Sequence, residues 1–371
     1  MTTIYTTFSD SIYLSRAFQL ANSSTILTSP NPSVGALLVS NKTIIGEGFT
    51  QKDGGAHAEV MAFRSVKESD QHLLTNATLY VSLEPCSIFG RTPPCCDLII
   101  EKQIKRVVIG CIDFTKGVLG QGLERIRKAG IEVVVGVAQD KAFEYSKYRQ
   151  AITRRNRPYV ILKQAISADG YVGLPNQQVI LTGQMANTLS HQWRSQVDAI
   201  LVGANTVEID DPSLTTRLAP GRSPARVILD PNGRVALSKQ VLAKAEDQEL
   251  PTYWAVDDAF AKTCLKKIEN KHLKNIAVLP LNRQNRIPSL LDALLKLRVG
   301  RLLVEGGPNT IQHFVEGDTF DEYRQWKSTV IIGSSQLAIP AAKVPVEKKV
   351  SFSVGKDVLT IGRNMPICTN C

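Results

Sequence analysis

The sequence predicts an α/β protein of two domains, and three observations carry that prediction. The chain has 371 residues, more than one hydrophobic core usually serves. Short runs of Val, Ile and Leu alternate with helical patterns through both halves, the rhythm of sheets covered by helices. Between the halves lies "EYSKYRQAITRRNRPY", a polar, basic stretch bounded by regular patterns. The domains are accordingly placed at 1–150 and 151–371.

The first domain reads as a three-layer α/β/α unit with a largely parallel sheet. A helix starts near Ser9 or Asp10, with Ile12, Tyr13, Ala17, Phe18 and Ala21 facing inward. "VGALLVS" and "TIIGEGFT" form a hairpin turned at Asn41-Lys42. "AEVMAFRSVKES" is helical, "ATLYVSL" is a strand, and "PPCCDLIIEKQ" starts a helix with prolines where the first turn tolerates them. The strands "RVVIGCI" and "IEVVVGV" flank a helix, "LERIRKAG", that ends at Gly130. In the second domain "YVILKQAIS", "DAILVG", "ARVILD", "NIAVLP" and "RLLVEGG" are buried-strand patterns. "QMANTLSHQWRSQ" and "SLLDALLKL" are helical. From Lys239 to Asn275 the chain is charged and weakly patterned, and no element is assigned there.

Composition narrows the function. With 43% hydrophobic and 21% charged residues, the chain is a packed globular protein rather than a disordered one. No apolar run approaches membrane-spanning length, so no membrane partner is expected. The opening "MTTIYTTFSD" lacks the basic and apolar regions of a secretory signal, and the cytoplasm is the expected location. Seven cysteines, an odd number, are then better read as metal ligands or free thiols than as disulfides. The net charge of +10 calls for anionic partners. No dense Lys/Arg block with interleaved aromatics is present, so phosphorylated small molecules are expected and nucleic acid is not.

The chemistry concentrates in two stretches, "GGAHAEV" and "SLEPCSIFGRTPPC". His57 and Glu59 stand two apart at a helix start, and Cys86 and Cys95 bracket the second stretch. Alone, each has an ordinary explanation: a packed histidine, or a cysteine buried as a small apolar group. Together they form the set a zinc deaminase needs, three N and S ligands with a nearby carboxylate that moves protons without binding the metal. His57, Cys86 and Cys95 would be the ligands and Glu59 the acid-base. Cys96 competes with Cys95, since adjacent helical residues point about 100° apart; Cys95 is taken as the ligand.

General nucleobase deaminases carry C-x-x-C, whereas eight residues separate the cysteines here. That insert resembles the bifunctional deaminase/reductase family of riboflavin biosynthesis, whose pattern is E-P-C-S-H-x-G-R-T-P-P-C. "SPNPSVGALLV" resembles the same family's substrate-binding turn, which implies that Asn31 hydrogen-bonds the pyrimidine edge. The chain departs from the pattern twice. Ile88 replaces the histidine after C-S, and "DFT", Asp113 to Thr115, replaces D-P-N. Arg91 remains as a phosphate partner, with Lys116 as a second candidate.

The resemblance extends to about Pro308. "LKQAISADGYVG", "HQWRSQVDAILVGANTVEIDDPSLTTR", "PARVILD" and "VEGGPNT" occur in the family's order. It implies a cytidine-deaminase-like first domain and a dihydrofolate-reductase-like second domain that reduces a ribosylamine with NADPH. By position, Thr206 and Asp210 match residues beside the nicotinamide cofactor, joined by Ala165 and Ile180, the latter where an aromatic is common. Leu214 and Arg217 match substrate positions, Glu305 a substrate-facing carboxylate, and Lys163 a lysine acting near the sugar. Asp210 is also counted with Lys163 among the catalytic residues. Gly306 and Gly307, in isolation an ordinary turn pair, offer unobstructed backbone N–H groups to a pyrophosphate. Arg194 and Arg217 suit forked phosphate binding, although without the surrounding family block they would read as salt-bridging arginines. No G-x-G-x-x-G fingerprint is present. Zinc and NADPH are the expected cofactors, a phosphorylated pyrimidine the expected substrate, and a homo-oligomer the expected assembly. The terminal Cys368 and Cys371 have no counterpart in the family and read as a reduced, frayed end.

Overall fold

The computed structural model describes residues 8–52, 54–89, 93–115, 119–245, 251–333 and 338–364. Arg91, Lys116, Cys368 and Cys371 lie outside the described residues. The described residues divide into two compact units, 8–156 and 157–364.

In the first unit, α1 (Phe8–Asn22) and α2 (Thr25–Thr28) precede the hairpin of β1 (Gly35–Ser40) and β2 (Thr43–Phe49). There follow α3 (Ala58–Arg64), β3 (Thr78–Leu83), α4 (Cys95–Glu101), β4 (Arg106–Cys111), α5 (Gln121–Lys128), β5 (Glu132–Val135) and α6 (Gln139–Arg155). The sheet runs β2-β1-β3-β4-β5. Only β3, β4 and β5 are parallel, while β1 is antiparallel to both of its neighbours. The expected largely parallel sheet is therefore corrected to a mixed one. The cause is the tight turn at Asn41 and Lys42, both with positive φ, which sends the chain straight back.

Alternation along each strand makes the three layers. Leu38, Leu79, Val81, Val107 and Ile109 pack with residues of α3, α4 and α5 on one face. Leu37, Val39, Tyr80 and Val108 pack with α1 and α6 on the other. In α1 the inward row is Leu14, Ala17, Phe18 and Ala21. Ile12 is 54% exposed, because it stands two residues, about 200°, from Leu14 on the helix. The basic stretch read as a connector is instead the 17-residue α6. Its periodicity was masked by charge, but Ala142 and Ala151 are buried, and it ends at Asn156 in the left-handed region.

The second unit contains β6 (Tyr159–Ile166), β7 (Tyr171–Gly173), α7 (Gln184–Ser195), β8 (Ala199–Gly203), α8 (Ala204–Asp210), β9 (Ala225–Leu229) and α9 (Gln240–Ala243). It continues with β10 (Thr252–Asp257), α10 (Asp258–Asn270), β11 (Ile276–Leu281), α11 (Arg286–Lys296), β12 (Arg301–Val304) and α12 (Pro308–Glu316). The last elements are β13 (Glu322–Lys327), β14 (Ile339–Pro340), β15 (Glu347–Val354) and β16 (Asp357–Arg363). The large sheet has the order β11-β10-β9-β8-β12-β6-β13-β16-β15. Its first seven strands are parallel, and β16 and β15 are antiparallel. The unassigned charged region holds β10, buried throughout, and α10, which turns Cys264 and Ile268 inward. A central strand covered on both faces has no alternation to read.

Insertion of β12 between β8 and β6 creates a switch point, where open parallel sheets receive ligands at the carboxyl ends of their strands. Glu305, Gly306 and Gly307 follow β12 directly there.

Candidate active sites

In the first unit two helix starts and one strand end converge. His57 is the residue before α3, Cys95 opens α4, and Cys86 lies in the loop after β3. Their ligating atoms all lie within 4.8 Å of one another. His57 Nδ1 is 3.2 Å from Cys95 Sγ and 3.6 Å from Cys86 Sγ, and the Cys95 amide donates to Cys86 Sγ at 3.2 Å. Hydrogen bonding from Cys95, aided by His57, pulls the Cys86 thiol down to about 4 despite burial. The same contact, with burial, pushes the Cys95 thiol up. The two neighbouring thiols thus oppose each other's ionisation. An imidazole and two sulfurs so placed fit a soft divalent cation, whose charge lets both thiols ionise.

Glu59 sits in the first turn of α3 and is 3% exposed. Burial, reinforced by the Cys86 charge, pushes its carboxyl up to about 7. Cys96 turns the other way: fully buried, it donates to the Pro85 carbonyl at 3.4 Å and packs with Ile99 and Leu123. Burial pushes its thiol up to about 12.

Glu84, one residue before Pro85, has a part that motif reading missed. Its carboxylate accepts from the amides of Asp113 at 3.2 Å, Gly120 at 3.1 Å and Gly122 at 3.0 Å. It thereby ties the loop after β4 to the loop that carries Cys86. A charged residue ending a buried strand was the available signal. Asn31 is exposed between α2 and β1, and Ile88 is 52% exposed. Thr115 donates its amide and hydroxyl to Asp113 at 2.9 and 2.5 Å, and Arg149 of α6 donates to the Thr115 hydroxyl at 2.6 Å.

In the second unit Lys163 of β6, Arg194 of α7 and Glu305 after β12 meet. Arg194 forks onto the Glu305 carboxylate at 3.0 and 2.9 Å, and Lys163 Nζ lies 3.6 Å from Glu305 Oε2. Burial would raise the Glu305 carboxyl, but Arg194 and Lys163 outweigh it and hold it at about 2. The remaining arm of Arg194 donates to the Thr215 carbonyl at 3.1 Å. The phosphate fork expected of Arg194 is therefore already committed within the protein. Arg217 is exposed, with one arm on the Ser213 hydroxyl at 2.7 Å. Leu214 is 2% exposed and packs against Val207 and Val235, so its side chain belongs to the core.

A cavity of about 550 Å³ opens at the switch point. Thr206, Asp210 and Gly307 line it, together with Asn232, Arg234 and His313, which sequence reasoning passed over. Burial raises the Asp210 carboxyl. Ala165 and Ile180 fall outside the lining, and Ile180 is 78% exposed. Gly306 packs against Thr310, where a Cβ would lie 2.6 Å from the threonine Cβ. The amino end of α12 and the Arg234 side chain both face this cavity, a donor set that fits the pyrophosphate and phosphate groups of a dinucleotide. His191, 5% exposed on α7, was also passed over.

A His-Cys-Cys cluster beside a buried glutamate defines a metal-dependent deaminase centre. A cleft at the switch point of a parallel sheet, in a unit that also holds a buried Lys–Glu–Arg group, fits a nucleotide-dependent reductase. Comparison with known proteins agrees with both classes. The model for the cytidine and deoxycytidylate deaminase zinc-binding region matches residues 8–111, and that for the RibD C-terminal domain matches residues 158–360. The riboflavin biosynthesis protein RibD of Aquifex aeolicus is 37% identical, over 94% of this chain and 97% of its own. That of Escherichia coli is 32% identical over 88% and 89%. A solved diaminohydroxyphosphoribosylaminopyrimidine deaminase/5-amino-6-(5-phosphoribosylamino)uracil reductase from Thermotoga maritima superposes with a TM-score of 0.81 at 33% identity, covering 96% of this chain and 99% of that one. The chain belongs to the RibD family. It is a bifunctional deaminase and reductase of riboflavin biosynthesis, with a zinc-binding first domain and an NADPH-dependent second domain.

Proposed function

We propose that the first unit hydrolyses the 2-amino group of 2,5-diamino-6-ribosylamino-4(3H)-pyrimidinone 5′-phosphate. The second unit then reduces the ribose, giving 5-amino-6-ribitylamino-uracil 5′-phosphate. The observation that carries this reading is the presence in one chain of both the His57–Cys86–Cys95 cluster with Glu59 and the Lys163–Glu305–Arg194 group.

His57, Cys86 and Cys95 hold the zinc, which when bound supplies Lewis acidity that makes water nucleophilic near neutral pH. Glu59 lies outside the ligand set; it takes the proton of the attacking water and delivers it to the ring nitrogen and the departing amine. Asn31 hydrogen-bonds the pyrimidine edge, and Arg91 faces the phosphate. In the second unit Arg194 holds Glu305 in its ionised form toward the ribose hydroxyls. Lys163 gives a proton to the ribose ring oxygen as it opens and C1′ accepts hydride. Thr206, Asp210, Gly306 and Gly307 position the nicotinamide and pyrophosphate groups, with Ala165 and Ile180 at the margin. Asp210 also acts beside Lys163 at the reacting end. Arg217, next to the buried Leu214, takes the substrate phosphate.

Mass spectrometry of products with and without NADPH tests the sequence of steps. Deaminated ribosylamine is expected without NADPH and the ribitylamine with it. Absence of NADPH oxidation on the deaminated intermediate would remove the reductase half of the proposal.

A homo-oligomer is proposed because β15 leaves a sheet edge with Val350 52% and Phe352 50% exposed. Light scattering that returns a monomer mass would refute it. The cytoplasm is proposed as the location, since reduced ligand thiols require a reducing compartment; cell fractionation tests this. Among the described residues no helix is long and apolar enough to cross a membrane.

A further inference from the structure

Two residues one helical turn apart on α7 reach the segment after α8. Arg194 takes the carbonyl of Thr215 at 3.1 Å, and His191 Nδ1 accepts the backbone N–H of Arg217 at 3.1 Å. That segment holds two residues in the left-handed region, Asp211 at φ 41° and Leu214 at φ 55°. Asp211 closes α8 as a left-handed cap, but a bulky residue such as Leu214 rarely adopts that conformation. Leu214 supplies a buried anchor, and the Arg217 side chain is steadied by Ser213 at 2.7 Å. The backbone of residue 217 itself is met by His191.

An imidazole accepts at Nδ1 only when that nitrogen carries no proton, so this bond sets the neutral tautomer with hydrogen on Nε2. Burial, with the charges of Arg194 and Arg217, pushes the His191 imidazole down to about 4, so the acceptor persists at neutral pH.

We infer that His191 is a positioning residue for phosphate recognition in the reductase: it latches the backbone of Arg217 to α7 and so fixes where the Arg217 guanidinium meets the substrate phosphate. This rests on the assignment of that phosphate to Arg217. A guanidinium recognises phosphate by a directional fork, so a loosened backbone costs affinity for the phosphorylated substrate without touching the reacting atoms.

The test compares His191→Leu, His191→Asn and Arg217→Gln in the full-length protein, using the deaminated substrate with and without its 5′-phosphate. Asn places an amide oxygen near the position of Nδ1; Leu removes the acceptor at similar size. His191→Leu is expected to raise KM for the phosphorylated substrate about tenfold, a change of about 1.4 kcal/mol. Its kcat, and KM for the dephosphorylated substrate, should stay within about twofold. His191→Asn is expected to recover most of the KM, and the peptide containing Arg217 should exchange amide hydrogen faster in His191→Leu alone. Deaminase turnover of each variant reports folding of the chain. An unchanged KM in Arg217→Gln overturns the phosphate assignment, and this inference with it. A raised KM in Arg217→Gln beside an unchanged His191→Leu overturns this inference alone. So does a His191→Asn variant no better than His191→Leu, or an equal loss on both substrates.

Discussion

The two centres solve the same electrostatic problem in opposite ways. In the first unit Glu59, Cys86 and Cys95 crowd potential negative charge into a buried space, and the cluster is balanced by a cation from outside the chain. In the second unit the buried carboxylate of Glu305 is balanced from within, by Arg194 and Lys163. The first arrangement is short in sequence, His57 and Cys95 being 38 positions apart. In the second, Arg194 and Glu305 alone lie 111 positions apart, and Lys163 comes from earlier still. A metal centre can be assembled from adjoining loops because the ion supplies the binding energy. A charge group made only of side chains needs the whole sheet to hold it.

That contrast can be broken most forcefully at Glu59. Glu59→Gln should lower deamination about a thousandfold or more, with zinc content and NADPH oxidation unchanged. Ammonia release and metal analysis on one preparation check this, and loss of zinc would mean that Glu59 is a ligand. Next in size, Glu305→Gln leaves Arg194 and Lys163 facing each other without a counter-charge. It should cost about 3 kcal/mol of stability in the second unit and about a hundredfold in reduction. Deaminase activity should persist; thermal unfolding and NADPH consumption measure the two effects.

A sharper division lies between neighbouring cysteines. Cys95→Ser should lose zinc and deamination together, whereas Cys96→Ser should keep the metal and stay within about twofold in rate. Equal zinc loss in both would erase the distinction between ligand and core thiol. The smallest effect is on acid stability of the second unit. Glu305 is lowered from 4.5 to about 2, so its contribution is complete above 4.5 and is lost as pH falls through 2. His191 is lowered from 6.5 to about 4, which likewise favours the folded state above 6.5 and is lost as pH falls toward 4. Both therefore weaken the fold on acidification. Denaturant titrations between pH 7 and pH 3 should show the loss, and it should shrink in His191→Leu. An identical pH dependence in wild type and variant would remove His191 from the account.

Much of this protein was legible in its sequence. The strand and helix rhythm identified both α/β units, and the H-A-E triplet with two distant cysteines identified the metal chemistry. Such features are local: hydrophobic period follows backbone geometry, and a ligand set follows donor chemistry. Charge hid α6 and α10, whose buried faces are narrow and whose exposed faces dominate the composition. The hairpin at Asn41-Lys42 was legible too, but the antiparallel pairing of β1 with β3 on its other side was not, because period leaves the direction of a non-local neighbour open.

What the tertiary structure decided was the direction of side chains and their company. Sequence could only choose between Cys95 and Cys96 as neighbours on a helix; the fold turns one toward His57 and the other toward the Pro85 carbonyl. Sequence made Arg194 a phosphate ligand, and the fold commits it to Glu305 and Thr215. It also made Glu84 part of a motif and His191 part of a helix, while the fold makes one a staple and the other a latch. The physical reason is the same in each case. Donor chemistry belongs to a residue, but the partner that satisfies it comes from wherever the chain folds back.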